Sequence, residues 1–241
     1  MNKLLSLFKR SKTGLRCSVV VVAAGTASRM QGIDKVLAPI GEVPVLVRTL
    51  SVFQRCADVT EIVVVTREEL IVEISKLCKE YLLDKVCKIV VGGSERMLSV
   101  RAGLREVSRD ARLIAIHDGA RPFLTDQVLG EVLRQADASG AAAPAVSVND
   151  TIKRAESGIV VETVDRSCLW AVQTPQVFQA DLIRAAVEKA AQENAQVTDD
   201  CSVVERLGMK VVLTAGDRQN IKITTPFDLL LGEAILTERG E

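Results

Sequence analysis

The 241 residues carry 31 Lys and Arg against 31 Asp and Glu, a formal net charge of zero, which argues against nucleic acid or an anionic membrane as partner. Hydrophobic residues make up 48% of the chain and aromatic residues only 3%, so the core is aliphatic, as in parallel sheets covered by helices. Six cysteines (Cys17, Cys56, Cys78, Cys87, Cys168, Cys201) have no metal-ligand spacing and His117 is the only histidine, which excludes a histidine-based zinc site and reads as reduced thiols in a cytoplasmic protein.

Residues 1–17 form a basic extension, with Lys3, Lys9, Arg10, Lys12 and Arg16 and no acid. Its apolar part is too short for a signal sequence, no stretch is long enough to span a membrane, and a surface-binding helix is the alternative to a loosely docked leader. Residues 18–241 read as one domain. Val19–Val22 is a β-branched run expected of a strand buried on both faces. Ala23, Ala24 and Gly25 follow, leaving the backbone N–H groups open to close approach, and then come the cations Arg29 and Lys35. The stretch reads equally as an anion site or as a buried strand with a basic loop.

Helical spacing over Val45–Cys56 puts Leu46, Leu50 and Phe53 on one face. Ile62–Thr66 predicts a strand, Glu68–Tyr81 a helix, and Lys88–Val91 a strand ending at Gly92-Gly93. Ser99–Val107 predicts helix and Leu113–Ile116 a strand before HDGARPF. This alternation predicts an α/β fold, a Rossmann-like, mostly parallel sheet with helices on both faces. A helix fits Thr125–Ser139 and a strand Ala141–Val148, where Pro144 suggests an edge or a bulge. Thr151–Arg154 and Ile159–Val164, around Glu156-Ser157-Gly158, predict a hairpin within residues 149–173, a projecting β-arm that wants a partner. Helices over Asp181–Glu193, Val203–Leu207 and Phe227–Leu236, with a strand at Lys210–Thr214, complete the reading.

Strand C-termini in an open parallel sheet share one edge, so Ala23–Lys35, Gly92–Ser99 and His117–Arg121 should wall one cleft. Gly92-Gly93-Ser94 with Ser99 could grip a ribose or a base edge, or could be a turn with a helix cap at Ser94. Asp118 has the chemistry to hold magnesium beside phosphates, and equally that of a capping or arginine-paired carboxylate. Arg121-Pro122 presents a guanidinium suited to phosphate, and His117 reads as structural. Thr151, Arg166, Thr174, Thr198 and Lys222 share an ability to bind phosphate and hydroxyl groups.

AAGTASRM followed by Lys35, then HDGARP, VNDTIKR, TVDR, LWAVQTPQ, VTDD and NIKIT, closely resemble, in order, the motifs of the 2-C-methyl-D-erythritol 4-phosphate cytidylyltransferase family. These nucleotidyltransferases serve the non-mevalonate isoprenoid pathway, and the resemblance runs from about Val19 to Leu236. It implies transfer of CMP from CTP to 2-C-methyl-D-erythritol 4-phosphate, a small sugar-alcohol phosphate, with Mg2+ as cofactor. By the same resemblance Ala23, Ala24 and Gly25 hold the triphosphate, with Arg29, Lys35 and Lys222 as catalytic cations. Gly93, Ser94, Ser99 and Gly119 bind the nucleoside. Asp118, Arg121, Thr151, Arg166, Thr174 and Thr198 line the acceptor pocket, Asp118 also being the metal carboxylate. A homodimer through the β-arm follows, the arm's Thr151 and Arg166 completing the partner's site.

The sequence departs from the family pattern at Ala27, which replaces the second loop glycine, and before Lys35, where the customary proline is missing. Ser94 stands where some members carry aspartate. A cytidylyltransferase acting on ribitol 5-phosphate and a non-catalytic nucleotide-binding homologue are the alternatives. The expected chemistry needs no general base, because a phosphate monoester is already an anionic nucleophile.

Overall fold

The computed structural model describes residues 14–25 and 34–240. Strand β1 (Cys17–Val22) leads through the short pair β2 (Pro39–Ile40) and β3 (Val43–Pro44) into helix α1 (Val45–Arg55) and β4 (Val59–Thr66). Then come α2 (Ile71–Glu80), β5 (Val86–Val91), α3 (Arg96–Glu106) and β6 (Leu113–Asp118). The second half holds α4 (Asp126–Ser139), β7 (Ala141–Ser147), the hairpin β8 (Lys153–Glu156) and β9 (Ile159–Thr163), β10 (Trp170–Val172) and β11 (Gln176–Gln179). Helices α5 (Ala180–Gln192) and α6 (Asp200–Glu205), strand β12 (Val212–Ala215) and helix α7 (Pro226–Arg239) follow.

The chain crosses from β1 to β4 and β5 on one side and to β6 on the other, all parallel. Antiparallel β11 joins β6 to β7, and β12 pairs parallel with the far side of β7. This is the expected mostly parallel sheet. Reversal of winding on either side of β1 opens a crevice at the C-terminal ends of β1 and β6, where Val22 lies opposite Asp118.

Alternation along the buried strands divides the core in two. Val19, Val21, Ile62, Val64 and Ala115 face one side, packed with Leu46, Leu50 and Phe53 of α1, Ile74 of α2, Leu133 of α4 and Ile235 of α7. Val20, Val63, Val65, Ile114 and Ile116 face the other, covered by Val100 and Leu104 of α3, Ile183 and Val187 of α5 and Val204 of α6. Helices therefore lie on both faces, and the sheet between them is held rigid.

Pro144 does not lie on an edge but at an irregularity of the ladder. It lies inside the sheet, where β7 changes partner from β11 to β10. Ala142 pairs with Val177 and Ala145 with Val172, so three steps on β7 face five on the neighbouring line. The missing N–H of proline falls opposite that interruption, while its carbonyl still accepts from Gln173 N at 2.8 Å.

The hairpin forms a separate two-stranded sheet whose residues are all exposed, with Ser157 at φ 49° and Gly158 at φ 81°. Positive φ at both turn residues matches the right-handed twist of the strands they join. Among the described residues no helix is long and apolar enough to cross a membrane.

Candidate active site

The crevice holds a cavity of about 430 Å³ lined by Val22–Gly25, Lys35 and Val36, by Gly93–Arg96 and Ser99, and by Asp118, Ala120, Arg67 and Lys222. The three expected walls thus meet. Arg29 and Ala27, like the first thirteen residues, lie outside the described residues.

Close approach shapes the first two walls. A Cβ on Gly92 would lie 2.6 Å from Ala24 Cβ, and one on Gly93 2.4 Å from Leu98 Cβ, so neither position admits a side chain without displacement. Ser99 closes the turn, its Oγ accepting from Gly93 N at 3.1 Å and donating to the Glu95 carbonyl at 3.1 Å. The helix starts from Glu95 and not from a cap at Ser94, which is left exposed at the cavity. On the first wall, a Cβ on Gly25 would stand 3.7 Å from Lys35 Nζ, so the ammonium group lies over the Ala24–Gly25 turn.

Asp118 ends β6 and is the electrostatic centre of the site. Lys222 Nζ lies 2.8 Å from it, Arg121 Nε 3.5 Å and an Arg96 nitrogen 3.6 Å. Burial alone would raise its pKa; Lys222 and Arg96, with Arg121 behind them, hold it well below the usual carboxylate range. Its backbone N–H donates to Thr174 Oγ1 at 3.1 Å. Thr174 in turn meets His117 Nδ1 at 3.0 Å, and His117 Nε2 lies 3.2 Å from the Arg121 carbonyl. An Nε2–H imidazole fits both, donating to the carbonyl and accepting from the threonine hydroxyl. Burial pushes the His117 pKa down to about 4, so the ring is neutral at physiological pH and structural, as expected.

Arg121 is turned inward. It donates to the Asn220 carbonyl at 2.7 Å and faces Asp118, so the arginine-paired reading of Asp118 describes part of this geometry. Thr174 and Gly119 support the floor without lining the cavity; a Cβ on Gly119 would sit 3.0 Å from Ala23 Cβ. Thr151, Arg166 and Thr198 are exposed and are not among the lining residues. Arg166 donates to the Asn149 carbonyl near the base of the hairpin.

Two lining arginines carry more of the site than the sequence indicates. Arg96 donates to the buried Asp200 at 2.7 Å while facing Asp118, and these carboxylates raise its pKa against the opposing effect of burial. Burial pushes the Asp200 carboxyl up, with Arg96 pulling the other way. At 2.7 Å from a guanidinium the pair is read as ionic. Its members lie 104 residues apart, so no local pattern announces it. Arg67 follows β4, and the edge rule applied to the strand ending at Thr66 points to it.

Among the described residues no three His, Cys, Asp or Glu cluster as a metal cage. A single carboxylate amid cations fits magnesium in the mode where nucleotide phosphates and water supply most of the ligands.

The residues match, over 17–238, the family model described as IspD, 2-C-methyl-D-erythritol 4-phosphate cytidylyltransferase. The chain belongs to that family. A relative of that name from Halalkalibacterium halodurans is 46% identical over 223 residues, covering 92% of this chain and 97% of the relative. One from Geobacillus kaustophilus is 45% identical over 221 residues, covering 91% and 96%. The crystal structure of 2-C-methyl-D-erythritol 4-phosphate cytidylyltransferase from Thermus thermophilus superposes with a TM-score of 0.76 at 31% identity, covering 90% of this chain and 98% of that one. That of 4-diphosphocytidyl-2C-methyl-D-erythritol synthase from Anaerococcus prevotii gives 0.82 at 29%, covering 92% and 96%.

Proposed function

We propose that this chain transfers CMP from CTP to 2-C-methyl-D-erythritol 4-phosphate, giving 4-diphosphocytidyl-2-C-methyl-D-erythritol and pyrophosphate, in isoprenoid precursor biosynthesis. The observation that carries the reading is the cationic cavity at the switch point of a chain that belongs to this family. Its lining includes Lys35, Arg67, Arg96 and Lys222 against only Glu95 and Asp118. The Ala23 N–H is taken by the Val65 carbonyl at 2.7 Å, so the Ala24–Gly25 turn is the part of this wall assigned to phosphate, and Gly93, Ser94 and Ser99 are assigned to the nucleoside.

An acceptor phosphate oxygen attacks the α-phosphorus of CTP. The bond from that phosphorus to the bridging oxygen breaks, and pyrophosphate departs with the electron pair. The barrier is repulsion between two anions and charge growing on the leaving group, so preorganised cations are the main requirement. Lys35 and Lys222 flank the cavity, and Arg29 is assigned with them. Asp118, ionised and steadied by Thr174, holds Lys222 in place and is the carboxylate proposed for Mg2+. When bound, the ion would neutralise phosphate charge. Neutral His117 takes no proton from substrate and only orients the backbone of Asp118 and Arg121.

The acceptor pocket is assigned to Asp118, Arg121, Thr174 and Thr198 of one subunit with Thr151 and Arg166 of a second, in a homodimer. Two observations support this: Thr151 and Arg166 are exposed beside the hairpin, and Ile159, Val160 and Val161 of β9 are 73%, 57% and 48% exposed. The free cysteines support a reducing, cytoplasmic location.

The test is pyrophosphate release from CTP and magnesium with 2-C-methyl-D-erythritol 4-phosphate, ribitol 5-phosphate or no acceptor. Release with the first alone is expected. Preference for ribitol phosphate moves the assignment to the other acceptor, and silence from folded protein removes the activity.

A further inference from the structure

Arg67 lies across the two ends of the loop that leads to Lys35. Its NH1 nitrogen donates to the Gly25 carbonyl at 3.1 Å, its NH2 nitrogen to Asp34, and Nε to Glu69 at 2.6 Å. All three nitrogens are engaged by protein acceptors. Gly25 is the last residue of the small-residue turn, and Asp34 immediately precedes Lys35. Asp34 also starts the turn beyond the loop, its carboxylate accepting from Val36 N at 3.1 Å and its carbonyl from Leu37 N and Ala38 N at 3.1 and 2.8 Å.

We propose that Arg67 is a positioning residue for nucleotide binding, a guanidinium clamp that fixes Lys35 against the Ala24–Gly25 turn. The residue before Lys35, customarily proline in the signature this loop resembles, is Asp34. A proline would set the backbone there by its ring. Aspartate leaves it free, and its pairing with Arg67 supplies the missing constraint from outside the loop. Lysine could not do the same, since only the planar guanidinium presents donors toward separate acceptors in a fixed fork.

The magnitudes separate this role from a general structural one. The Arg67 and Asp34 side chains are 22% and 20% exposed at the rim of the cavity, outside both hydrophobic cores, so loss of the pair is expected to leave the chain folded. Displacing a binding cation by a fraction of an ångström has a larger consequence, because placement of charge is what the site supplies. The nucleotide part of the inference rests on the proposed cytidylyltransferase activity; the clamp itself does not.

The test uses the full chain and three substitutions, Arg67→Ala, Asp34→Asn and the double variant Arg67→Ala with Asp34→Pro. Amide exchange at Leu37 and Ala38 reads the clamp directly, and titration with CTP and magnesium reads its consequence. Arg67→Ala is expected to speed exchange at both amides, weaken CTP about tenfold and raise the KM for CTP but not for the acceptor. Asp34→Asn keeps an acceptor for Val36 but loses the charge, and is expected to behave alike. Asp34→Pro in the Arg67→Ala background is expected to recover CTP affinity. Unchanged exchange in both single variants overturns the proposal. Equal weakening in the double variant also overturns it, because Arg67 would then act on the nucleotide itself. Wild-type protein that binds no CTP removes the proposed activity, while the exchange comparison still decides the clamp.

Discussion

The crevice at β1 and β6 and the hairpin β8–β9 both carry residues assigned to substrate, yet they are built on opposite principles. Around Asp118 the charged and polar groups are tied to one another. Asp118 is met by Lys222, Arg96 and Arg121, Arg96 by Asp200, and Thr174 by both His117 and Asp118. At the hairpin the apolar residues Ile159, Val160 and Val161 face outward, and Arg166 reaches only a neighbouring carbonyl. In the proposed homodimer the first region draws on one chain and the second on two. Nucleotide binding should therefore survive in an isolated subunit, while acceptor binding should depend on a second.

Removal of a crevice cation gives the largest expected effect. Lys222→Ala or Lys35→Ala should lower kcat about 10²- to 10³-fold in pyrophosphate release; the thermal transition should stay close to wild type in Lys35→Ala and fall in Lys222→Ala, which leaves Asp118 without its nearest cation. An equal loss from a hairpin substitution would break the contrast.

Acid titration probes the buried floor. His117 titrates near 4 in the folded chain and near 6.5 when unfolded, so between those values the unfolded state binds the extra proton. Stability should fall as pH drops from 6.5 to 4, by on the order of 3 kcal/mol from this residue, and its contribution should be flat above 6.5. Denaturant unfolding of His117→Asn across that range should show a correspondingly shallower slope.

Asp200→Ala leaves Arg96 without its nearest partner, though Asp118 stays 3.6 Å away and the Arg96 side chain keeps 30% exposure. A destabilisation of about 2–3 kcal/mol is expected by chemical denaturation, at the low end for breaking a buried pair.

The smallest effect sharpens the comparison most. Arg166→Ala should raise the acceptor KM about tenfold, on the order of one charge-assisted contact, and leave the KM for CTP unchanged. At acceptor concentrations well below KM, reassociated mixtures of Arg166→Ala and Lys35→Ala subunits should turn over faster per subunit than either variant alone. No recovery would show that each site draws on a single chain.

The crevice walls were legible in the sequence because β-branched runs followed at once by small residues mark buried strands with open C-terminal ends. The hairpin was legible from Ser157-Gly158 between two β-prone pieces. What escaped was pairing at a distance. Arg67 and the Gly25 carbonyl are 42 residues apart and Arg96 and Asp200 are 104 apart, and no local pattern ties either arginine to its partner. For Pro144 the edge alternative fails, because β7 is an interior strand, while the irregularity offered as the other alternative is met where β7 changes partner. The partner of Arg121 NH1, the Asn220 carbonyl, lies 99 residues on and is likewise invisible to a local pattern.

The constancy of charge around Asp118 reaches beyond the protein. With this carboxylate ionised far below neutrality, arginines that stay protonated and an imidazole that stays neutral above about 4, these groups keep the same charge from weakly acid to neutral solution. A phosphate monoester does not, since its second proton leaves at a pH of about 6. Where turnover declines on the acid side of neutrality, these groups leave that midpoint to be set by the substrate.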